Sequence, residues 1–166
     1  MSLKLILMRH AKSGWDDPVE DHDRPLNSRG RISAKVMGKW LHAKGDLPQE
    51  ALVSTARRTT ETFNGLGIAP QKVKFLSSLY HPSAQGLFIA LRSATEQTVL
   101  MVSHNPGIAE FAELLAKQPP KHERFFDFPT CATWVCGFDV GRWKDLQINS
   151  GINLDFAIPR ELIQES

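Results

Sequence analysis

The residues best suited to chemistry in this 166-residue sequence are histidines and arginines that follow short apolar runs. Arg9-His10 ends the first run, Arg58 follows the second, and Ser103-His104 ends the run that begins at Thr98. Guanidinium groups bind phosphate oxygens through paired, charge-assisted hydrogen bonds. An imidazole attacks phosphorus when one ring nitrogen is free and the other is held, and a second, protonated imidazole would stabilise the transferring group. Together these residues predict a phosphoryl-transfer site that requires no metal and no cofactor.

Alternating strand-like and helix-like segments would bring these residues together. Apolar runs predict strands, and the amphipathic or capped segments between them predict helices. The strand runs cover about 3–8, 51–53, 73–76, 98–102, 132–138 and 152–158, and the helical segments about 31–43, 59–63, 83–91 and 108–115. This order predicts an α/β fold with three layers, α/β/α, around a mainly parallel sheet. Ligands of such sheets bind beyond the carboxyl ends of the strands, where the histidines and arginines fall.

Composition limits the classes of protein to consider. The length and the 42% hydrophobic content suit one domain over residues 1–166. A net charge of +2 with scattered Lys and Arg predicts neither a nucleic-acid partner nor a membrane surface. The first apolar run ends in Arg9-His10 rather than in a cleavage site, and no stretch approaches a membrane span. Cys131 and Cys136 are expected to be buried, on opposite faces, and unpaired. These features predict a cytoplasmic protein.

Each chemical element has a simpler interpretation when it is taken alone. The Arg9-His10 pair is typical of a solvated loop entrance, and Arg57-Arg58 of a surface pair, although cations at a helix start are disfavoured unless an anion binds there. Ser103 to Pro106 is typical of a turn that caps the next helix. The coincidence of all these residues at strand ends favours one shared site. His10 is accordingly expected at a solvent-reachable strand end.

Four motifs follow one another in order along the chain. They are Arg9-His10-Ala11-Lys12-Ser13, Arg24-Pro25-Leu26-Asn27-Ser28-Arg29-Gly30, Ser54-Thr55-Ala56-Arg57-Arg58-Thr59-Thr60-Glu61-Thr62 and Ser103-His104-Asn105-Pro106-Gly107. These motifs resemble the Arg-His-Gly, Pro-Leu-x-x-x-Gly, Ser-x-x-x-Arg-x-x-x-Thr and strand-end histidine elements of the histidine phosphatase superfamily. The chain is most similar to its small, SixA-type phosphohistidine phosphatase branch. The matches run from about Leu3 to Phe111.

The resemblance implies a phosphoglycerate mutase-like fold and a covalent phosphohistidine intermediate that water hydrolyses. The catalytic and phosphate-binding residues it implies are His10, Arg9, Arg58 and His104, with Arg24 as a further candidate that could equally face solvent. The register of the motif selects Arg58 rather than Arg57. Ala11 replaces the usual Gly, so the backbone there should not need a positive φ. The implied partner is a phosphorylated protein or a small phosphorylated substrate.

A general acid is missing where many members of the superfamily carry one. An alkoxide leaving group needs a proton donor, and the stretch Leu76 to His81 contains neither Asp nor Glu. The imidazole of a phosphohistidine has a pKa of about 6.5 and departs without such help, so an N–P substrate is favoured. The loop after the nucleophile could supply the proton instead, through Asp16, Asp17, Asp21 or Asp23. His22 and His81 are interpreted as surface or capping histidines.

Two alternatives to a phosphohistidine phosphatase stay open from the sequence. One is a small-molecule phosphomonoesterase whose acid lies in the Asp16 to Asp23 loop, and the other is a phosphate-binding module without turnover. The segment from Thr62 to Thr98 is too short for the cap that encloses small substrates in larger relatives. An open site is therefore expected, which would suit a phosphohistidine displayed on another protein. The sequence identifies neither the physiological substrate nor the oligomeric state.

Overall fold

The structure, a computed structural model, describes residues 2–165. It contains a six-stranded sheet with helices on both faces. The strands are β1 (Leu3–Arg9), β2 (Glu50–Ser54), β3 (Lys72–Leu76), β4 (Thr98–Ser103), β5 (Thr133–Phe138) and β6 (Ile152–Ala157). The helices are α1 (Ser28–Lys44), α2 (Arg57–Gly65), α3 (Ala84–Arg92), α4 (Gly107–Leu115) and α5 (Pro159–Glu165). Short 3-10 helices cover Asp21–Asp23, Ser77–Leu79 and Trp143–Asp145.

The order of the strands across the sheet is β3-β2-β4-β1-β5-β6. Strands β3, β2, β4 and β1 are parallel, whereas β5 runs antiparallel to both of its neighbours. The prediction of a mainly parallel sheet is confirmed, and the reversed direction of β5 is an addition to it. The register pairs Arg9 with Ser103 and Val53 with Val102, so β1, β2 and β4 end side by side.

The sheet separates two hydrophobic clusters, as the predicted three-layer arrangement requires. In β1, Leu5 and Leu7 join the cluster that contains residues of α3 and α4, whereas Ile6 and Met8 join the cluster that contains residues of α1 and α2. Side chains of a strand alternate between faces, so a strand buried on both faces is apolar throughout. Free Cys131 and Cys136 are buried in opposite clusters, as expected from the sequence.

Some element boundaries differ from those predicted. Helix α1 begins at Ser28 rather than near 31, because the Asn27 side chain accepts a hydrogen bond from the Gly30 backbone and caps the first turn. Strand β6 ends at Ala157, one residue before the predicted end, and α5 follows it. The sequence interpretation did not include α5, although Pro159 at its first position is a favourable start for a helix.

Two glycines let the helices of one layer approach closely. A Cβ added at Gly38 would lie 2.0 Å from the backbone oxygen of Leu66, and one at Gly65 would lie 2.9 Å from the Ala34 side chain. Because α1 and α2 touch at these glycines, the end of α2 is packed directly against α1. Within residues 2–165, none of the helices combines the length and apolarity needed to cross a membrane.

Candidate active site

The ends of β1, β2 and β4 surround a cavity of about 350 Å³. His10 follows β1 and His104 follows β4, and their ring centroids are 5.3 Å apart. The cavity lining includes all five of the side chains selected from the sequence, which are Arg9, His10, Arg24, Arg58 and His104. Arg24, which the sequence left undecided between the site and solvent, is only 7% exposed. The structure therefore brings every predicted site residue to one place.

His10 is held as a neutral imidazole with one defined tautomer. Its Nδ1 donates to the carbonyl oxygen of Ala11 at 2.7 Å, which leaves Nε2 with its lone pair. Burial, followed by the nearby charges of Arg9 and Arg58, lowers the pKa of His10 to about 3. The residue is 7% exposed and therefore lies deeper than the solvent-reachable position expected from the sequence. The difference arises because the loops after β1 and β2 close around the strand ends.

His104 faces the nucleophile from the adjacent strand. Its Nε2 lies 2.8 Å from the Ser54 hydroxyl, which ties the end of β4 to the end of β2. Burial is the main cause that lowers the pKa of His104 to about 2, followed by His10 and Arg58. The ring is thus neutral in this structure, whereas the sequence hypothesis required a protonated one. A phosphate dianion in the cavity would supply the negative charge that favours protonation.

Arg58 and its neighbour Arg57 have opposite environments. Arg58 is 3% exposed and directs Nη1 and Nη2 towards the backbone and carboxylate oxygens of Asp21. Arg57 points to solvent and forms an ion pair with Glu61 one turn further along α2. The motif register therefore selected the arginine that lines the cavity.

Three buried nitrogen atoms of this site have no hydrogen-bond partner in the described chain: Arg9 Nε, Arg58 Nε and His104 Nδ1. Unsatisfied buried polar atoms are rare in folded proteins, and each is unfavourable by about 1–3 kcal/mol. Their concentration among the predicted phosphate ligands fits a site that binds the oxygens of an anion.

A short antiparallel pairing returns Arg24 to the cavity. Ser13 and Leu26 form an isolated bridge, so the residues between them leave the site and come back. A Cβ at Gly30 would lie 2.1 Å from the backbone oxygen of Lys12, so this close approach requires the glycine that ends the Arg24 to Gly30 motif. Arg24 then donates to the Ser13 hydroxyl at 2.8 Å, and its guanidinium stacks 3.5 Å from the ring centroid of Trp15.

Asp21 is the carboxylate of the loop that reaches the cavity. It accepts hydrogen bonds from Arg24 Nε at 3.1 Å, from Arg58 Nη2 at 3.2 Å and from the Tyr80 hydroxyl at 2.5 Å. The Tyr80 hydroxyl is the largest cause of a strongly lowered pKa at Asp21, with Arg58 and Arg24 adding to it. Asp21 is therefore ionised and holds the two arginines, rather than carrying a proton to be donated.

The other polar residues of the loop lie elsewhere. Asp16, Asp17 and Asp23 are exposed, and within residues 2–165 no ion pair joins Asp16 to Lys12. His22 bonds the Thr55 hydroxyl at 2.9 Å and is absent from the cavity lining among the described residues. His81 instead lines the rim of the cavity, where its Nε2 lies 3.5 Å from the Asp21 carboxylate.

Thr62 connects the nucleophile to the phosphate-binding arm. Its hydroxyl accepts from the Ala11 backbone N–H at 2.9 Å and donates to the Arg58 carbonyl at 2.7 Å. Ala11 itself is buried and has no positive φ, as its substitution for glycine implied. Thr62, the last residue of the Ser54 to Thr62 motif, is thus explained by its two hydrogen bonds to the backbone of Ala11 and Arg58.

Comparison with known proteins identifies the family. A family model described as the histidine phosphatase superfamily (branch 1) matches residues 5–79, which include His10 and Arg58. An uncharacterized protein of Mycobacterium leprae is 33% identical over 164 residues, covering 92% of this chain and all of the relative. The chain belongs to the histidine phosphatase superfamily. This histidine phosphatase family member carries His104 and the rest of the β4 motif beyond the matched residues.

Similarity to solved structures extends over nearly all of this histidine phosphatase. A protein assigned as phosphohistidine phosphatase SixA from Nakamurella multipartitia is 28% identical, with a TM-score of 0.80 over 96% of this chain and 97% of that one. The protein histidine phosphatase SixA complexed with tungstate has the same fold at 23% identity, with a TM-score of 0.78 over 96% of this chain and 99% of that one. The predicted phosphoglycerate mutase-like α/β fold is confirmed, and family and fold together identify a phosphatase.

Sequence reasoning did not single out three contributors to the site. Tyr80 and Trp15 were not assigned to it, and Asp21 was one of four equivalent aspartates. The spacing of Asp21 three residues before Arg24 was an available signal, because both fall in one 3-10 turn and form an ion pair there. Tyr80 reaches Asp21 from 59 residues further along the chain, and Trp15 meets Arg24 through the fold of the loop that contains both.

Proposed function

We propose that this phosphatase removes phosphoryl groups from phosphohistidine on proteins, through a covalent intermediate on His10. The observation that carries the proposal is the state of His10, a buried neutral imidazole whose Nδ1 is committed to Ala11 and whose Nε2 is free. Neutral imidazole is a competent nucleophile, and a fixed tautomer removes the need to reorient the ring during attack.

The two chemical steps follow from this geometry. In the first, His10 Nε2 forms a bond to phosphorus while the P–N bond of the substrate breaks, and the substrate ring, protonated by solvent on its other nitrogen, leaves as neutral imidazole. In the second, water attacks the phosphorus of phosphorylated His10, inorganic phosphate leaves, and the neutral imidazole is restored. Arg9, Arg58, Arg24 and His104 would hold the non-bridging oxygens in both steps, where preorganised donors stabilise developing charge. No step of this scheme needs a metal or a cofactor.

The substrate class is supported by the protonation state of the cavity. Asp21, the carboxylate among the residues that line it, is ionised and bonded to arginines and tyrosine, so it has no proton to give a departing alkoxide. Loss of an imidazole needs no strong general acid, because imidazolium has a pKa of about 6.5, so solvent can protonate the other ring nitrogen and the ring leaves as neutral imidazole, a much better leaving group than an alkoxide. The site is thus better matched to cleavage of a P–N bond than of an alkyl P–O bond.

A protein substrate is supported by the shape of the rim. Side chains at the mouth are exposed, as Trp15 at 73% and His81 at 62% illustrate. Between α2 and β4 the chain contains only β3, a 3-10 turn and α3, and of the residues in this stretch the cavity lining includes His81 alone. A phosphorylated side chain on the surface of another protein could reach His10 through such an opening.

A direct test compares kcat/KM for a phosphohistidine peptide with kcat/KM for ethyl phosphate, using His10→Ala as the blank. We expect a ratio on the order of a hundredfold or more, equivalent to about 2.7 kcal/mol of transition-state preference. A ratio near or below one would contradict the proposal and favour the alternative function.

That alternative is a small-molecule phosphomonoesterase on the same fold. One observation favours it: His81 stands at the rim beside Asp21, and an imidazole in that position is the type of side chain that delivers a proton to an alkoxide. If this function is correct, His81→Gln should lower kcat on ethyl phosphate by a hundredfold or more. Under the phosphohistidine proposal the same variant changes kcat on the phosphohistidine peptide by less than about threefold.

A further inference from the structure

A second concave surface adjoins the catalytic cavity. This groove, called here the Ile32 groove, has a volume of about 620 Å³ and lies between α1, α5 and the loop before β5. Its defining residues are Lys12, Arg29, Ile32, Arg124, Ile158 and Arg160. Lys12 and Thr130 line both the groove and the catalytic cavity, so the two are adjacent.

The charge of the groove has one sign. Four of its lining residues carry a permanent positive charge, and none of the described lining residues is acidic. Arg124 pairs with nearby Asp127, but among the side chains described for residues 2–163 no carboxylate forms an ion pair with Lys12, Arg29 or Arg160. The whole chain has a net charge of only +2, so positive charge is concentrated here. Clustered charge of one sign attracts a ligand of the opposite sign.

The position of Arg29 adds to this imbalance. It lies in the first turn of α1, where the helix dipole already favours negative charge, and no acidic residue occurs in that turn. A carboxylate-rich ligand would offset both the guanidinium and the helix end.

The groove also contains apolar surface. Ile32 is 54% exposed on α1, and Ile158 and prolines 129 and 159 form neighbouring parts of the lining. No aromatic side chain lines the groove among the described residues, so it lacks a platform on which nucleic-acid bases stack. Cationic side chains around an exposed isoleucine instead match an acidic peptide segment with an apolar residue.

We infer that the Ile32 groove docks an acidic, partly apolar segment of the phosphorylated protein, next to the phosphohistidine that enters the cavity. This inference rests on the proposed protein substrate. The shared residues Lys12 and Thr130 place the docked segment within a few residues of the reacting side chain, so docking would lower KM for the protein without altering the chemical step.

The test uses three phosphorylated probes at low ionic strength. Phosphoramidate reports the chemistry alone. The phosphohistidine peptides carry a run of six glutamates or, as the matched probe, six glutamines. Each run begins two residues from the phosphohistidine and is placed on its N-terminal side in one version of the peptide and on its C-terminal side in the other. We expect the better glutamate peptide to exceed its glutamine counterpart in kcat/KM by fivefold or more. Arg29→Glu combined with Arg160→Glu should abolish this preference, while kcat/KM for phosphoramidate stays within twofold.

Matched variants separate docking from general effects. Lys117→Glu with Lys144→Glu makes the same change in charge at exposed positions outside the groove, and the glutamate preference should persist. Ile32→Ser should raise KM for the glutamate peptide, whereas Ile89→Ser, at an isoleucine of α3 that is 60% exposed, should not.

Three outcomes would overturn the inference. Equal kcat/KM for the glutamate and glutamine peptides would show that the groove does not dock acidic segments. A glutamate preference that survives Arg29→Glu with Arg160→Glu would show the same. A dimer that Ile32→Ser dissociates, with unchanged peptide kinetics, would assign the groove to contact between copies of this chain. If the protein hydrolyses ethyl phosphate but no phosphohistidine peptide, the proposed function itself is overturned.

Discussion

The Nδ1 of His10 and the carbonyl oxygen of Ala11, the next residue in the chain, lie 2.7 Å apart. This bond is local, yet it determines which ring nitrogen faces the arginines. Since the Ala11 backbone N–H is in turn bonded to Thr62, the acceptor is itself held in place by α2. The orientation of the nucleophile is therefore set before any substrate enters.

Replacement of the nucleophile should remove turnover and leave the fold. His10→Ala should lower kcat by at least a thousandfold, because no other described imidazole in the cavity has a defined free Nε2. Rapid quenching of the wild-type protein with a radiolabelled phosphohistidine peptide should trap an acid-labile, base-stable phosphoprotein that the variant does not form. His42→Ala, at an exposed histidine of α1, is the control. Appreciable turnover by His10→Ala would contradict the mechanism.

The two adjacent arginines of α2 provide a matched pair of substitutions. Arg58→Ala should lower kcat/KM by about a hundredfold to a thousandfold, the usual effect of removing a buried donor to a developing anion. Arg57→Ala removes only an exposed ion pair with Glu61 and should change kcat/KM by less than about twofold. Steady-state kinetics on phosphoramidate would measure both. Equal losses in the two variants would show that Arg58 has no special role.

The stability of the protein should fall as the pH drops below about 6.5. The pKa values of His10 and His104 are lowered in the fold to about 3 and about 2, so between these values and about 6.5 the unfolded chain binds more protons. The free energy of unfolding should therefore decrease on acidification, by up to about 1.4 kcal/mol per pH unit for each imidazole. Urea titrations from pH 7 to pH 4 would measure this slope.

A variant and a ligand test the assignment of that slope. His104→Gln removes one of the two imidazoles and should reduce the slope. Inorganic phosphate should stabilise the wild-type protein, since the anion would bind the folded site and not the unfolded chain. An identical pH dependence in wild-type and His104→Gln would contradict the attribution.

Asp21→Asn distinguishes a positioning role from general acid catalysis. The ionised carboxylate holds Arg24 and Arg58, so its loss should lower kcat/KM about tenfold on both phosphoramidate and ethyl phosphate. The ratio between the two substrates should stay within about threefold. A selective loss of a hundredfold or more on ethyl phosphate alone would identify Asp21 as the proton donor and refute the positioning role.

The contact between α1 and the end of α2 predicts a strong effect of one methyl group. In Gly38→Ala the new Cβ would lie 2.0 Å from the Leu66 backbone oxygen, so the helices must separate. We expect a loss of about 2–3 kcal/mol in the free energy of unfolding. In Gly141→Ala the added atom meets nothing within 4 Å, and stability should change by less than about 0.5 kcal/mol. Urea denaturation of both variants would check this, and equal stability would contradict it.

Much of the site could be predicted because its residues follow strands. Arg9, His10 and His104 directly end apolar runs, and the carboxyl ends of parallel strands meet at one edge of a sheet. The role of Asp21 could not be predicted, since it depends on how the loop folds back through the Ser13–Leu26 bridge. The depth of His10 escaped prediction for the same reason.

The parts of the fold that were missed depend on long-range pairing. The apolar run of β5 indicates a strand but carries no information on its direction, which is set by pairing with β1 across the sheet. Helix α5 is only seven residues long, and so short a segment gives a weak periodic signal. The four parallel strands, by contrast, were each followed or preceded by helical patterns that fixed their direction.

The place of β1 in the sheet has a consequence for the dynamics of the protein. This strand lies between β4 and β5 and is bonded to both along its length, with its apolar side chains buried on each face. Backbone amides in such a strand exchange with solvent only when the whole domain opens, whereas amides of edge strands exchange through smaller fluctuations. Amide exchange in the strand to which His10 is attached should therefore be among the slowest in the described chain. Partial opening at the sheet edges would leave the nucleophile in register.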